Sequence, residues 1–397
     1  MINDRDIESM RSLINDISFY NDNKKSIINV DQKIIDNIEN YSNFINSDNK
    51  KQNYEIDDIF SKITDNFNLI YESILNQTND KKFTYFIEEL KELTKQYLNN
   101  LKFYYTSVNK KINNKNELDQ KKFFFDKLDI RSVDKILLLA DKEINYIKNN
   151  LNLGKKTREE LSVNKGPAIR KIINTLNSQF YKMGILKKVS DYMKKDYIVT
   201  GCALELSVPS ANWWKNLNQK LPSKTWYAHV DESFLYPKSI CYLTNVNEKN
   251  GPTSFFENGL EMLKINYVQN ILGRIVNNIG INKKSKLYNF YNNKNGNKAL
   301  YCQNFKSHFA SLPDSIKFNS HFGWYVNPNS MLENELCKKE IVLKGEKGTL
   351  VVFDGANLLH RGGLLVEGER LVLQIIFGPR VNLIKKVFDK IKRSISY

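Results

Sequence analysis

The period at which apolar residues recur changes once along this chain of 397 residues, near Gly166-Pro167. Before that point it is close to 3.6, which builds helices with one apolar face; from Tyr197 it is two, which builds strands with two unlike faces. Ile59, Ile63, Phe67, Ile70, Tyr71 and Ile74 follow the acidic start Asp57-Asp58 at helical spacing, and Phe86, Leu90, Leu93, Tyr97 and Leu101 repeat the pattern. Ser132, with Asp134 in the first turn, is expected to cap a third helix through Ile136 and Leu139. Residues 1–165 are therefore read as a helical N-terminal region whose apolar stripes form a core. They contain no His and no Cys, so few groups for chemistry.

A further helical pair is expected over 168–186 and 187–194. Cys202, Leu204 and Leu206 then alternate with Ala203, Glu205 and Ser207. Strand-like runs recur at 239–246, 253–256, 340–343, 349–353 and 371–377. Asn250-Gly251 is the strongest local hairpin signal. Several short strands with turn signals between them predict an antiparallel sandwich or barrel over 166–380, with a long insertion at 258–335. The class is α+β. Residues 381–397 read as a basic amphipathic helix, which could touch an anionic membrane surface but is better read as packed on the protein.

Composition excludes several classes. Hydrophobic residues make up 41% and aromatic residues 12%, enough to build a core. Four cysteines, at 202, 241, 302 and 337, contain no CxxC and match no zinc spacing. No apolar run reaches transmembrane length, and residues 1–15 lack a signal-peptide core, so a soluble cytoplasmic protein is expected. The net charge of +16 is spread along the chain and mixed with acids, so no nucleic-acid partner is expected.

Four histidines carry most of the remaining chemistry. In the segment Trp226-Tyr227-Ala228-His229-Val230-Asp231, an extended backbone points His229 and Asp231 to the same side. That pair is two thirds of a 2-His-1-carboxylate metal site; alone, it reads as an exposed histidine hydrogen-bonded to a neighbour. His360 follows the apolar run 349–353 and precedes Gly362-Gly363. Arg370, ten residues on, opens a strand, where a guanidinium could grip a carboxylate. The conjunction, in this order, carries the reading. His308 and His321 lie in the insertion and read as structural or surface groups, with pocket lining the alternative. Asp354 reads as a turn cap or an outer partner of His360. Arg361 reads as a substrate-facing or solvated cation. Trp213-Trp214, Trp226 and Trp324 read as core or wall.

At these residues the sequence resembles the Fe(II)/2-oxoglutarate-dependent dioxygenases, and among them the phytanoyl-CoA dioxygenase-like group. Three pieces within 226–378 carry the resemblance: His229-Val230-Asp231; Tyr242 to Val246 with Asn250-Gly251-Pro252-Thr253; and His360-Arg361-Gly362 with Arg370. It implies a double-stranded β-helix, or jelly roll, with flanking helices. It implies His229, Asp231 and His360 as Fe(II) ligands, Arg370 as the partner of the far carboxylate of 2-oxoglutarate, and Tyr242 as a wall beside that cosubstrate. It implies O2 and a small-molecule or biosynthetic-intermediate substrate hydroxylated at a C–H bond, with succinate and CO2 released. An intact Asp231 favours hydroxylation, desaturation or ring closure over halogenation. Gly362 stands where many members have Ser or Thr, and Phe255-Phe256-Glu257-Asn258-Gly259 replaces a Pro-Gly-Ser-His loop, so the substrate is not carried over. The rival class is a non-catalytic basic jelly roll that binds nucleic acid or an anionic glycan.

Overall fold

The computed structural model describes residues 26–46, 52–106, 116–155, 160–209, 224–225, 228–231, 234–279, 308–309, 311–318, 326, 329–363 and 365–380. Helices α1 (Gln32–Asn46), α2 (Asn53–Asn76) and α3 (Lys81–Thr106) come first. They are followed by α4 (Glu117–Lys121), strand β1 (Phe123–Lys127), α5 (Ile130–Leu139), α6 (Asp141–Asn152), β2 (Ser162–Val163), α7 (Pro167–Lys182) and α8 (Ile185–Tyr192). Strands β3 (Tyr197–Ser207), β4 (Lys238–Tyr242) and β5 (Ser254–Phe256) lead to helices α9 (Gly259–Leu263), α10 (Tyr267–Ile279) and α11 (Met331–Lys338). Strands β6 (Glu340–Val342), β7 (Thr349–Phe353), β8 (Leu359–Arg361) and β9 (Arg370–Pro379) end the described chain.

The strands form two sheets, one ordered β1-β7-β4-β9-β3-β2 and one ordered β6-β5-β8. A bridge from His229 to His360 adds the segment 228–231 beside β8. From β3 onward the chain visits the larger sheet, the smaller, the larger, the smaller twice, then the larger, the smaller and the larger. That is the alternation of a double-stranded β-helix.

Period-two patterning assigns the faces. Leu204, Leu206, Cys241, Leu350, Val352, Leu371, Leu373 and Ile375 point outward and pack under α4, α5, α7 and α8. Their neighbours Tyr242, Val351, Phe353 and Val372 point into the barrel and meet Phe255 of the smaller sheet. On 228–231, Ala228 and Val230 face outward into a third cluster, which leaves His229 and Asp231 facing in. A separate core joins α1, α2 and α3 to α10 and to Phe309, Leu312 and Ile316. The helical insertion and the N-terminal helices thus share one interior. Tyr71 of α2 and Thr94 of α3 share a buried hydrogen bond of 2.5 Å within it.

Four sequence expectations need correction. Residues 1–165 are not wholly helical: β1 pairs with β7 from Phe123↔Phe353 to Lys127↔Thr349, and β2 pairs with β3. Asp129, not Ser132, caps α5; its carboxylate accepts from the Ser132 amide at 2.9 Å and from the Ser132 hydroxyl at 2.6 Å. The break between α7 and α8 comes at Met183-Gly184, where Gly184 takes φ +74°. Asn250-Gly251 is not a hairpin turn, because its flanking strands β4 and β5 lie in different sheets. Gly251, at φ +68°, instead turns a corner against Gly363 and Leu365. The C-terminal helix expected over 381–397, His321, Trp213-Trp214, Trp226 and Trp324 lie outside the described residues.

Candidate metal centre

Three side chains from two distant segments meet inside the barrel mouth. One ligand-capable atom from each of His229, Asp231 and His360 lies within 4.8 Å of the others. The backbone sets this up. His229 and His360 exchange both amide–carbonyl hydrogen bonds at 2.9 Å, which sets their rings side by side with centroids 4.4 Å apart. The amide of Asp231 donates to the Gly355 carbonyl at 2.7 Å, holding the second residue of the pair beside the turn that leads to His360. The His360 ring also meets Phe353, centroid to centroid, at 5.0 Å.

His360 and Asp231 are both prepared for a cation. His360 Nδ1 lies 2.9 Å from the Leu358 carbonyl, which selects the tautomer with the proton on Nδ1 and leaves Nε2 as a lone-pair donor. Burial holds the imidazole below its ordinary pKa, against the pull of Asp231 and the Leu358 carbonyl. Asp231 is buried, which alone would raise its carboxyl; Lys238, with His360 and His229, overrides that and holds it well below the usual range. Its two oxygens differ. Oδ1 accepts from Lys238 Nζ at 2.7 Å. Oδ2 is buried without a hydrogen-bond partner, 3.8 Å from His360 Nε2. A buried carboxylate oxygen without a partner is costly, and a metal ion between it and the imidazoles would remove that cost. The donor set of two imidazoles and one carboxylate suits Fe(II).

Arg370 faces the same interior. It lies at the far end of the β4–β9 ladder from Lys238, since Lys238 pairs with Ile376 and Tyr242 with Val372. It is 5% exposed. Nη1 donates to the Gly251 carbonyl and Nη2 lies 3.4 Å from Ser207 Oγ, while Nε is buried without a partner. The corner at Asn250-Gly251 therefore serves to hold the arginine. Tyr242 is fully buried; its hydroxyl donates to the Leu343 carbonyl at 2.9 Å and accepts from the Thr253 amide at 3.0 Å. Both functions of that hydroxyl are taken, so the residue offers a ring and not a hydrogen bond.

Other sequence candidates lie elsewhere. His308 packs at a tilt against Phe83 and Phe86 in the helical core. Arg361 is partly buried: it pairs with Glu340 at 2.7 Å and donates to the Lys224 carbonyl. Asp354 is the turn cap of the two roles expected for it, and its second oxygen meets Tyr192 and not His360. It caps its own turn through the Ala356 amide at 3.0 Å and accepts from Tyr192 at 2.5 Å. Lys238 and Gly355 went unseen in the sequence. The period-two register with Tyr242 puts Lys238 on the inner face, which was the available signal; Gly355 gave none.

Fold and site together define a double-stranded β-helix with a two-histidine, one-carboxylate candidate centre at its mouth. No family model matches the sequence, and no curated protein does. Solved structures similar to the chain include EctD from S. alaskensis with 2-oxoglutarate and 5-hydroxyectoine, at 10% identity over 66% of this chain and 73% of that one, TM-score 0.36. They also include iron-bound HygX from Streptomyces hygroscopicus, at 12% identity over 66% and 84%, TM-score 0.33. A third is the viral collagen prolyl hydroxylase vCPH from Paramecium Bursaria Chlorella virus-1, at 13% identity over 68% and 96%, TM-score 0.31.

Proposed function

We propose that this protein is an Fe(II)- and 2-oxoglutarate-dependent oxygenase acting on a C–H bond of a small molecule. The observation that carries the reading is the convergence of His229, Asp231 and His360, with one buried carboxylate oxygen left unpartnered among them. The two imidazoles and Asp231 Oδ2 would hold the iron. Arg370, with a buried Nε still to be satisfied, would take the distal carboxylate of 2-oxoglutarate. Bound iron with this cosubstrate supplies oxidative decarboxylation to succinate and CO2, coupled to oxygen insertion into the substrate. The protein's own part is geometry and dryness. Tyr242, Phe255, Phe353 and Val372 wall the interior and exclude water. Lys238 holds Oδ1 so that Asp231 presents a single oxygen.

The narrower phytanoyl-CoA dioxygenase-like placement rests on the sequence pieces alone. A cytoplasmic location belongs to the same proposal; free thiols at Cys202, Cys241 and Cys337 fit a reducing compartment. Among the described residues no helix is long and apolar enough to cross a membrane.

The deciding experiment is anaerobic titration of purified protein with Fe(II) and 2-oxoglutarate, followed by succinate measurement after admitting O2. Stoichiometric iron binding and slow succinate release, both abolished by His229→Ala and Asp231→Ala, are expected. Iron-indifferent protein with steeply salt-dependent affinity for polyanions would instead establish the basic binding module.

A further inference from the structure

We infer that Arg274 is a positioning residue for the metal centre, and that through it the helical layer governs how tightly the metal is held. The inference rests on the oxygenase reading above.

One short turn, residues 354–358, touches two of the three proposed ligands. The Gly355 carbonyl accepts from the Asp231 amide at 2.7 Å, and the Leu358 carbonyl faces His360 Nδ1 at 2.9 Å. The same turn is gripped from outside. Arg274, on α10 and only 4% exposed, donates from Nη2 to the Ala356 carbonyl at 2.7 Å and to Asn357 Oδ1 at 3.2 Å. Its Nε donates to Asn270 Oδ1 at 2.7 Å, one helical turn back. The guanidinium also acts electrostatically on Tyr97 of α3, drawing its hydroxyl's pKa down against the rise that burial causes. Val268, Ile271, Leu272, Ile275 and Val276 root α10 in the core it shares with α1, α2 and α3. A continuous path of packed and bonded groups therefore runs from the N-terminal helices through Arg274 to the ligand-bearing turn.

A guanidinium is a costly group to bury, and it repays that cost only where its acceptors are held in place. Here the acceptors belong to the turn on which Asp231 and His360 rest. Outer partners of metal ligands typically change affinity by about 10–100-fold when removed. Arg274 acts one step further out, through backbone carbonyls, and gives the helical layer a role in the chemistry although that layer supplies no ligand.

The test uses the full-length protein and Co(II), whose visible spectrum reports both affinity and coordination. Arg274→Met is expected to weaken Co(II) binding by roughly 10-fold or more and to alter the spectrum while the melting transition persists. Arg274→Lys, which keeps the charge and can reach one acceptor, is expected to recover part of the loss. A measurement on the wild type guards against a variant that fails to fold: Co(II) is expected to slow amide exchange in α10 and α3, which carry no ligand. A folded Arg274→Met protein that holds Co(II) as tightly as the wild type, or exchange in α10 and α3 indifferent to the metal, overturns the inference and leaves the oxygenase reading standing. Wild-type protein that binds no Co(II) brings down both.

Discussion

A methyl group added at Gly355 would place a carbon 1.8 Å from Asp231 Oδ2 and 3.2 Å from His360 Cε1. Gly355→Ala must therefore push aside the proposed ligand. Overpacking of this kind costs about 1–3 kcal/mol, and Mn(II) affinity followed by electron paramagnetic resonance should fall at least as sharply as stability does. Lys238→Met tests the other oxygen. It leaves a buried carboxylate without its cation, for which a loss of roughly 3 kcal/mol, less an allowance for the partial exposure of Lys238, is expected in urea denaturation of metal-free protein. Added Mn(II) should shrink that loss, because the ion replaces the missing charge; an unchanged loss would argue against a metal at Oδ2. His308 supplies a pH test remote from the centre. Burial lowers its pKa in the folded protein, with Asp80 opposing. The unfolded chain then takes up the proton first, so stability is full above the ordinary histidine range and declines as pH falls through about 6.5 toward the folded value. His308→Phe should flatten that decline between pH 7.5 and 5.5. His229 and Asp231 were legible as a same-side pair because alternate residues of an extended segment share a face, and His360 joined them only through the order of motifs along the chain. Lys238 was marked only by its period-two register with Tyr242, a faint signal for one cation among 60 Lys and Arg.

Among elements, the long helices were the easiest to read, since Ile59, Ile63, Phe67, Ile70 and Ile74 form an unbroken stripe that is buried in full. Strand β1 escaped because Phe123-Phe124-Phe125 is too short to show a period, and its strand character comes from pairing with β7. The Asn250-Gly251 signal was sound as local chemistry, since Gly251 takes the left-handed conformation, but pairing between sheets decides what a turn connects. The packing of α3 against the insertion can be tested at Phe86. Phe86 is fully buried in the shared helical core, so Phe86→Ala should cost about 3–5 kcal/mol, measured by the urea midpoint. If the link through Arg274 holds, the same variant should also loosen Co(II).

At the scale of the whole molecule, the change of texture near residue 166 marks a change in sequence pattern, and packing crosses it. Strand β1 completes the larger sheet from the N-terminal side, and α10 from the insertion completes the N-terminal core. A fragment beginning at residue 166 would expose the apolar face of α10 and strip β1 from β7. It should aggregate in size-exclusion chromatography and bind no Co(II), whereas a well-behaved, metal-binding fragment would show the jelly roll to be self-sufficient. Pattern within a segment was readable; contact between segments far apart in the chain was not, because nothing local in α10 names its partner.

The rung between residues 229 and 360 forms, among the described residues, one edge of the smaller sheet. It joins stretches far apart in the chain. An ion seated there would rivet the seam of the barrel. Loading the centre would then also fasten the fold, and stripping the metal would be felt first at the place where the chemistry occurs.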